Sequence, residues 1–183
     1  MNTKSTFTML ALVSALAIPH FASAASRNAA TLLNGANQMN YEQQDAAAML
    51  RSKAGDNQAM ITMADTMTGD FKANQEAVAA LAGSRKITLN TYKKDTAAND
   101  EMSKLNGAAF NAAFFARCVR DQKGAIETFK TASRSFRHDR DVQLYIDQTL
   151  PILRANLAMT EGLQYQSALG SSQNPANNRT SMN

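Results

Sequence analysis

MITMADTMTGDFKANQEAVAAL, at residues 60–81, is the most informative segment of the chain. Its apolar side chains recur every three or four residues, which is the spacing of one face of an α-helix. Gly55 before the segment and Gly83 after it are typical helix terminators, and Asp56 is a candidate N-cap. The pattern predicts a helix over residues 57–82, whose buried face carries Met60, Met63, Ala64, Met67, Phe71, Val78 and Leu81.

Three more segments repeat this helical period, on either side of the first. They cover residues 31–54, 108–135 and 139–168, and no stretch alternates apolar and polar residues as a strand would. A basic polar connection, residues 84–96, leads to a short helical piece at 97–105. The sequence therefore predicts an all-α four-helix bundle with a short extra helix between helices two and three. The predicted core positions of the three segments are Leu32, Ala36, Met39, Gln43, Ala46, Ala47 and Leu50; Phe110, Phe114, Cys118, Gln122, Ala125, Ile126 and Phe129; and Val142, Tyr145, Ile146, Thr149, Ile152, Leu153, Asn156, Leu157, Thr160 and Leu163.

Residues 1–24 have the features of a secretory signal peptide. Lys4 precedes an apolar run at residues 7–18, and an Ala-x-Ala cleavage motif ends at Ala24. These features, in this order, predict cleavage between Ala24 and Ala25 and a periplasmic or secreted protein. A buried N-terminal helix is the alternative.

The mature part consists of one predicted domain, residues 25–169, and a polar segment, residues 170–183. That last segment is low in apolar residues and predicts a disordered tail. No stretch after the signal reaches the length of about eighteen apolar residues that a membrane helix needs, so no membrane span is predicted in the mature chain.

The charge balance argues against nucleic acid as a partner. The full chain has a formal net charge of +4, and removal of Lys4 with the signal lowers it to +3. Acidic and basic residues are mixed along the chain, whereas nucleic-acid binding needs a concentrated basic patch. One local cluster, Arg134, Arg137 and Arg140, lies at the predicted end of the third long helix. Cations there suit the helix dipole, and this interpretation is preferred to an anion site.

Residue types that catalyse reactions or bind metals are sparse. Cys118 is the only cysteine, and we expect a small buried side chain; an intermolecular disulfide is the alternative. His138 is the only histidine after the signal, and the chain lacks the Glu-x-x-His motif of di-iron bundles. No catalytic set is recognisable, so the sequence predicts a protein that is not an enzyme. The methionines on one helix face, Met60, Met63 and Met67, favour a packed core over a Cu(I) site.

Several segments, in this order, resemble the domain-of-unknown-function 4142 family of bacterial envelope proteins. They are DTMTGDFKANQEAVAALA (65–82), KITLN (86–90), LNGAAFNAAF (105–114), VRDQKGAIETFK (119–130) and TLPILRANL (149–157). The resemblance covers residues 41–163 and implies a ferritin-like helical bundle in the cell envelope. It also accounts for Pro151, because the family pattern has the same T-L-P motif in its last helix.

The chain departs from that family pattern where the family has three histidines. Phe71, Gln122 and Asn156 occupy these positions, and all three lie on predicted core faces. Three inward histidines would suit a metal ion, but a phenyl ring cannot ligate and amides are poor ligands. We therefore predict no metal and no cofactor. Phe71, Gln122 and Asn156 become the candidate core polar or ligand positions. Gln122 and Asn156 are expected to hydrogen-bond each other or a backbone carbonyl freed by Pro151.

These observations favour an exported, non-catalytic bundle that acts by contact with an envelope protein or surface. The alternative is a metal or small-ligand binder that uses Met, Gln and Asn side chains of the bundle core. The sequence names neither the partner nor the oligomeric state.

Overall fold

The computed structural model describes residues 21–172. These residues form five helices, α1 (Phe21–Lys53), α2 (Gln58–Ser84), α3 (Thr96–Ser103), α4 (Gly107–Ser135) and α5 (Arg140–Ser172). The prediction of an all-α bundle is confirmed, with four long helices and a short one between the second and the third.

Both predicted terminal segments fall only partly within this range. Residues 1–20 of the predicted signal and residues 173–183 of the predicted tail lie outside the described residues. The predicted cleavage site, Ala24 and Ala25, lies near the start of α1, which begins at Phe21. Cleavage at this site stays a prediction. At the other end, α5 continues to Ser172, past the expected start of the tail at residue 170.

The helix ends differ from the predicted ones by a few residues, for local reasons. Gly55 has a positive φ of 52° after α1, as a helix terminator should. Asn57, and not Asp56, caps α2: its side chain accepts a hydrogen bond from the backbone N–H of Met60 at 3.1 Å. After α2 the left-handed conformation falls on Lys86, with φ of 55°, so Gly83 stays helical.

Contacts between helices define the direction of each one. The pairs Arg51–Asp65 and Asn37–Gln75 make α1 and α2 antiparallel. Asp70–Asn156 and Arg85–Asp139 do the same for α2 and α5, and Lys123–Glu161 and Gln143–Ser133 for α4 and α5. Since α2 and α4 both oppose α5, they run in the same direction. The connection between them must therefore cross the length of the bundle, as in ferritin-like bundles with one long crossover.

The crossover follows the outer surface of α1. Asn90 accepts a hydrogen bond from Asn37 through its backbone carbonyl at 2.9 Å and donates its N–H to Asn34 at 2.6 Å. Further along, the Tyr92 hydroxyl donates to the Asp45 carboxylate at 2.7 Å. The same carboxylate lies 3.2 Å from the Lys94 ammonium. The crossover is thus fixed to α1 by polar contacts at several levels.

The predicted core stripes are confirmed. Their residues are buried or half-buried, most of the apolar ones in one continuous cluster, and Cys118 is a buried free thiol. Pro151 lies inside α5, but its ring is exposed. The carbonyl left without its helical donor belongs to Asp147, an exposed residue, so water can satisfy it. Among residues 21–172, no helix is long and apolar enough to cross a membrane.

Candidate functional site

The three candidate positions from the sequence analysis all lie inside the bundle. Phe71 on α2 and Asn156 on α5 are 0% exposed, and Gln122 on α4 is 1% exposed. The sequence pattern therefore placed all three correctly on inward faces. What they do there follows from their neighbours.

Asn156 joins α5 to α2. Its side-chain amide donates to the Asp70 carboxylate at 2.8 Å and to the carbonyl of Ile152, one turn earlier in α5, at 3.0 Å. The hypothesis that Asn156 would use the carbonyl freed by Pro151 is therefore wrong, because that carbonyl lies on the opposite, exposed face. A charge-assisted hydrogen bond to Asp70 replaces it.

Gln122 is joined to Asn156 through Thr160. The Thr160 hydroxyl lies 3.1 Å from the Gln122 amide oxygen and 2.8 Å from the backbone carbonyl of Asn156. A direct bond between the two amides, the other expectation, is not among the hydrogen bonds of residues 21–172. The Gln122 nitrogen and the Asn156 side-chain oxygen have no protein partner in that part of the chain. The expected pairing is thus confirmed for one polar atom of each residue.

A second polar pair lies further along the same two helices. The Thr149 hydroxyl is 3.4 Å from the side-chain oxygen of Asn74 and 2.8 Å from the backbone carbonyl of Tyr145. Both Asn74 and Thr149 are buried. We call the contact between α2 and α5 at Asp70, Asn74, Thr149 and Asn156 the closed seam, because polar side chains of the two helices hydrogen-bond across it. One atom of each amide, Asn74 Nδ2 and Asn156 Oδ1, has no protein partner within residues 21–172.

The interior offers neutral hydrogen-bonding groups. Amides and hydroxyls dominate its polar content, and these are weak ligands for transition metals. No group of three or more His, Cys, Asp or Glu side chains within residues 21–172 is arranged to hold a metal ion. Burial raises the pKa of the Cys118 thiol to about 12, so that it is protonated at neutral pH and a poor nucleophile.

A groove lies between α1 and α4, on the side of the bundle away from the closed seam. We call it the α1–α4 groove; its volume is about 530 Å³. Its walls are mainly apolar, and its polar end carries Glu42 and Gln43 from α1 and Asp121 from α4. The apolar lining comes from Leu32, Gly35, Ala36, Met39, Ala125 and Phe129.

The crossover covers one half of the seam between α1 and α4. From Gln43 toward the C-terminal end of α1, the space between α1 and α4 is narrow. Met102, at the end of α3, and Cys118 line this narrow part. Hydrogen bonds from Arg117 to Asn99 and from Lys53 to the Ser103 carbonyl hold α3 against α4 and α1. The other half, from Thr31 to Gln43, is not covered by α3, and there the groove opens.

Sequence reasoning missed this groove, although one signal was present. Gln43 was assigned to the core stripe of α1, where a polar residue needs a reason. Glu42 next to it and Asp121 on α4 do not stand out in the sequence from the other charged residues of these helices. Their meeting depends on the relative placement of α1 and α4, which a single sequence does not encode locally.

The arginine cluster lies differently from the expectation. Only Arg134 lies in the last turn of α4; Arg137 is in the turn between the helices, and Arg140 opens α5. The helix dipole favours a cation at a C-terminus and disfavours one at an N-terminus. The dipole explanation therefore holds for Arg134 and is wrong for Arg140.

Comparison with known proteins gives one match. A family model described as a domain of unknown function (DUF4142) matches residues 16–163. No curated protein and no solved structure matches the chain.

Proposed function

Because the chain belongs to the DUF4142 family of unknown function, we propose its role from its own surface. The protein is an exported, non-catalytic helical bundle that acts by contact with an anionic surface of the cell envelope. The turn between α4 and α5 makes this contact.

The observation that supports this proposal is the set of exposed arginines at one end of the bundle. Arg134, Arg137 and Arg140 are all exposed, and none forms an ion pair with a carboxylate of the described residues. Arg134 donates a hydrogen bond to the Thr131 hydroxyl, and Arg137 donates one to the ring nitrogen of His138. Free cations on one short turn suit a surface of negative charge.

An apolar side chain accompanies these cations. Leu144, one turn into α5, is 57% exposed and lies beside a shallow depression. Arg137, Arg140 and Asp147 also line this depression, so its cations outnumber its carboxylate two to one. Basic groups beside an exposed leucine are the combination that interfacial contact uses: charge attracts the protein, and the apolar side chain enters the boundary. The position of Arg140 at a helix N-terminus, against the dipole, is then explained by the contact that it makes.

The side chains of the bundle interior support a non-catalytic role. Several of its buried polar side chains bond to one another or to backbone carbonyls, and the one thiol is protonated. Activation of a nucleophile requires a neighbouring base or a lowered pKa, and the Cys118 pKa is raised.

Vesicle sedimentation tests the proposed contact. We expect the purified protein to bind vesicles of phosphatidylglycerol and phosphatidylcholine but not of phosphatidylcholine alone, and to dissociate as salt is raised. The double variant Arg137→Gln/Arg140→Gln should bind roughly thirtyfold more weakly, at about 1 kcal/mol for each cation. The control Lys72→Gln/Arg154→Gln removes the same charge from exposed positions on α2 and α5 and should bind as the wild type.

Equal loss in both double variants would show that only net charge matters and would contradict a contact at the α4–α5 turn. Elemental analysis of the same sample tests the absence of a metal role. Stoichiometric copper, iron or zinc in the purified protein would overturn it.

The α1–α4 groove supports a second candidate function, the binding of a small ligand. Pockets between the helices of a bundle, with apolar walls and a few polar groups, are common ligand sites, and this volume is in their usual range of about 300–1,000 Å³.

A further inference from the structure

We propose that the α1–α4 groove binds a small amphiphilic amine, with the ammonium head at Glu42 and Gln43 and the apolar body along the groove. This inference rests on the second candidate function, ligand binding, and is independent of the arginine turn.

The polar end of the groove has acceptors to spare. The Glu42 carboxylate accepts one hydrogen bond, from the Gln38 amide at 2.7 Å, and forms no ion pair with a lysine or arginine of residues 21–172. Gln43 is only 6% exposed, and its side-chain oxygen has no donor within the described part of the chain. A buried acceptor left unpaired is destabilising, so a donor supplied by a ligand would be favoured there.

The third polar group, Asp121, is already neutralised by its own helix. Arg120 lies 3.0 Å from one of its oxygens and Arg117 lies 3.5 Å from the other. Arg117 is also held by Asn99 of α3, at 3.2 Å. The acceptors without a cation are therefore Glu42 and Gln43, neighbours on α1.

This arrangement selects the charge of the ligand. An ammonium group carries three donors and no acceptor, which matches the Glu42 carboxylate at this end of the groove. A turn of the Gln43 side chain toward the ammonium would give its shielded oxygen the donor that it lacks. A carboxylate head would meet the negative charge of Glu42 and offer no donor to Gln43. The expected order of affinity is amine first, neutral alcohol second, and carboxylate last.

The walls of the groove select an apolar body. Leu32, Ala36 and Met39 from α1 face Ala125 and Phe129 from α4, and these side chains offer no hydrogen bonds. Removal of an alkyl chain from water onto such walls gives about 25 cal/mol for each Å² of apolar surface, so the chain length adds affinity without changing the preference for the head.

Calorimetric titration tests the site with three probes: decylamine and decanoate, each below its micelle-forming concentration, and decan-1-ol below its solubility limit. Decylamine should bind most tightly. Glu42→Gln should weaken decylamine roughly tenfold or more, because a hydrogen bond to a charged group is lost, and should leave decan-1-ol unchanged. The control Glu76→Gln removes a carboxylate from the exposed face of α2 and should bind all three probes as the wild type.

A matched glycine pair tests the location. Gly35 lines the groove and Gly69 lies on the exposed face of α2; a Cβ at either position meets nothing within 4 Å. Gly35→Phe should fill the groove and abolish binding of decylamine and decan-1-ol, whereas Gly69→Phe should bind as the wild type.

Four results would overturn the proposal: no binding to the wild type, decanoate as tight as decylamine, an unchanged Glu42→Gln variant, or equal loss in the two glycine variants. None of these results affects vesicle binding through Arg137 and Arg140, so the failure of one proposal is distinguishable from failure of the other.

Discussion

The closed seam and the α1–α4 groove both contain buried amide side chains, but the surroundings of these amides differ. In the closed seam, Asn156 of α5 donates to Asp70 of α2 at 2.8 Å. Asn74 of α2 accepts a hydrogen bond from Thr149 of α5 at 3.4 Å. In the α1–α4 groove, the Gln43 oxygen is just as hidden from water and has no donor within residues 21–172. Asn74, Asn156 and Gln43 each keep one side-chain atom without a protein partner in this part of the chain. The seams differ because the two asparagines also bond across the helices, whereas Gln43 lines an open groove that a ligand can enter.

The path of the chain explains the difference. α1 and α2, and α4 and α5, are joined by short turns and pack closely, and the closed seam then brings the two pairs together. The crossover must pass over the outside of α1 and reaches α4 only with α3. Half of the seam between α1 and α4 is thus left without a covering element.

The largest expected difference between the seams is in how far the free energy of unfolding falls when an apolar side chain is shortened to alanine. Phe71→Ala removes a fully buried ring beside the closed seam and should lower the free energy of unfolding by about 3–5 kcal/mol. Met39→Ala, on the half-buried wall of the groove, should cost about 1 kcal/mol or less, because the site is already open to water. Urea denaturation followed by circular dichroism measures both. Equal losses would mean that the groove is as tightly packed as the closed seam.

A smaller effect separates the buried amides. Asn156→Leu has a similar volume but leaves the half-buried Asp70 carboxylate without its donor, which should cost about 1–3 kcal/mol. Gln43→Met removes an acceptor that has no donor among the described residues and should change stability by less than about 1 kcal/mol in either direction. A larger loss for Gln43→Met, in the same urea experiment, would show that Gln43 is structural.

Most of the fold could be predicted from periodicity. The stripes that contain Phe71, Gln122 and Asn156 are buried as expected, because an amphipathic helix has one apolar face to hide. The short helix in the connection was also predicted, since Gly107 and the polar residues before it interrupt the period. These features depend on neighbours within one or two helical turns, which a sequence shows directly.

The partners of the polar residues could not be predicted in the same way. Asn156 bonds to Asp70, and Gln122 is bonded by Thr160, across helices that are remote in sequence. The effect of the helix dipole on Arg140 depends on which helix the residue belongs to. Because α5 begins at Arg140, its charge lies at a helix N-terminus and opposes the dipole. The relative placement of the helices, and not the helical period of each one, determines which polar side chains meet.

Cys118, at the covered end of the seam between α1 and α4, makes a smaller, pH-dependent contribution to the free energy of unfolding. Burial raises the pKa of Cys118 from 9.0 to about 12, so between these values the unfolded chain loses a proton that the folded chain keeps. The free energy of unfolding is unaffected below pH 9 and falls as the pH rises above it, by about 1 kcal/mol at pH 10. Comparison with Cys118→Ala, which keeps the tyrosines, isolates this contribution. A wild type and a variant with the same pH dependence would mean that water reaches the thiol.

The difference in exposure between the two seams can be measured directly on the methionines. With ¹³C-methyl methionine, a soluble nitroxide broadens the NMR signals of methyl groups that it can approach. Met39, half-buried on the groove wall, should broaden strongly, while Met63 and Met67, which are 0% exposed on α2, should stay sharp. Signals of Met39 as sharp as those of Met63 and Met67 would contradict an open groove between α1 and α4.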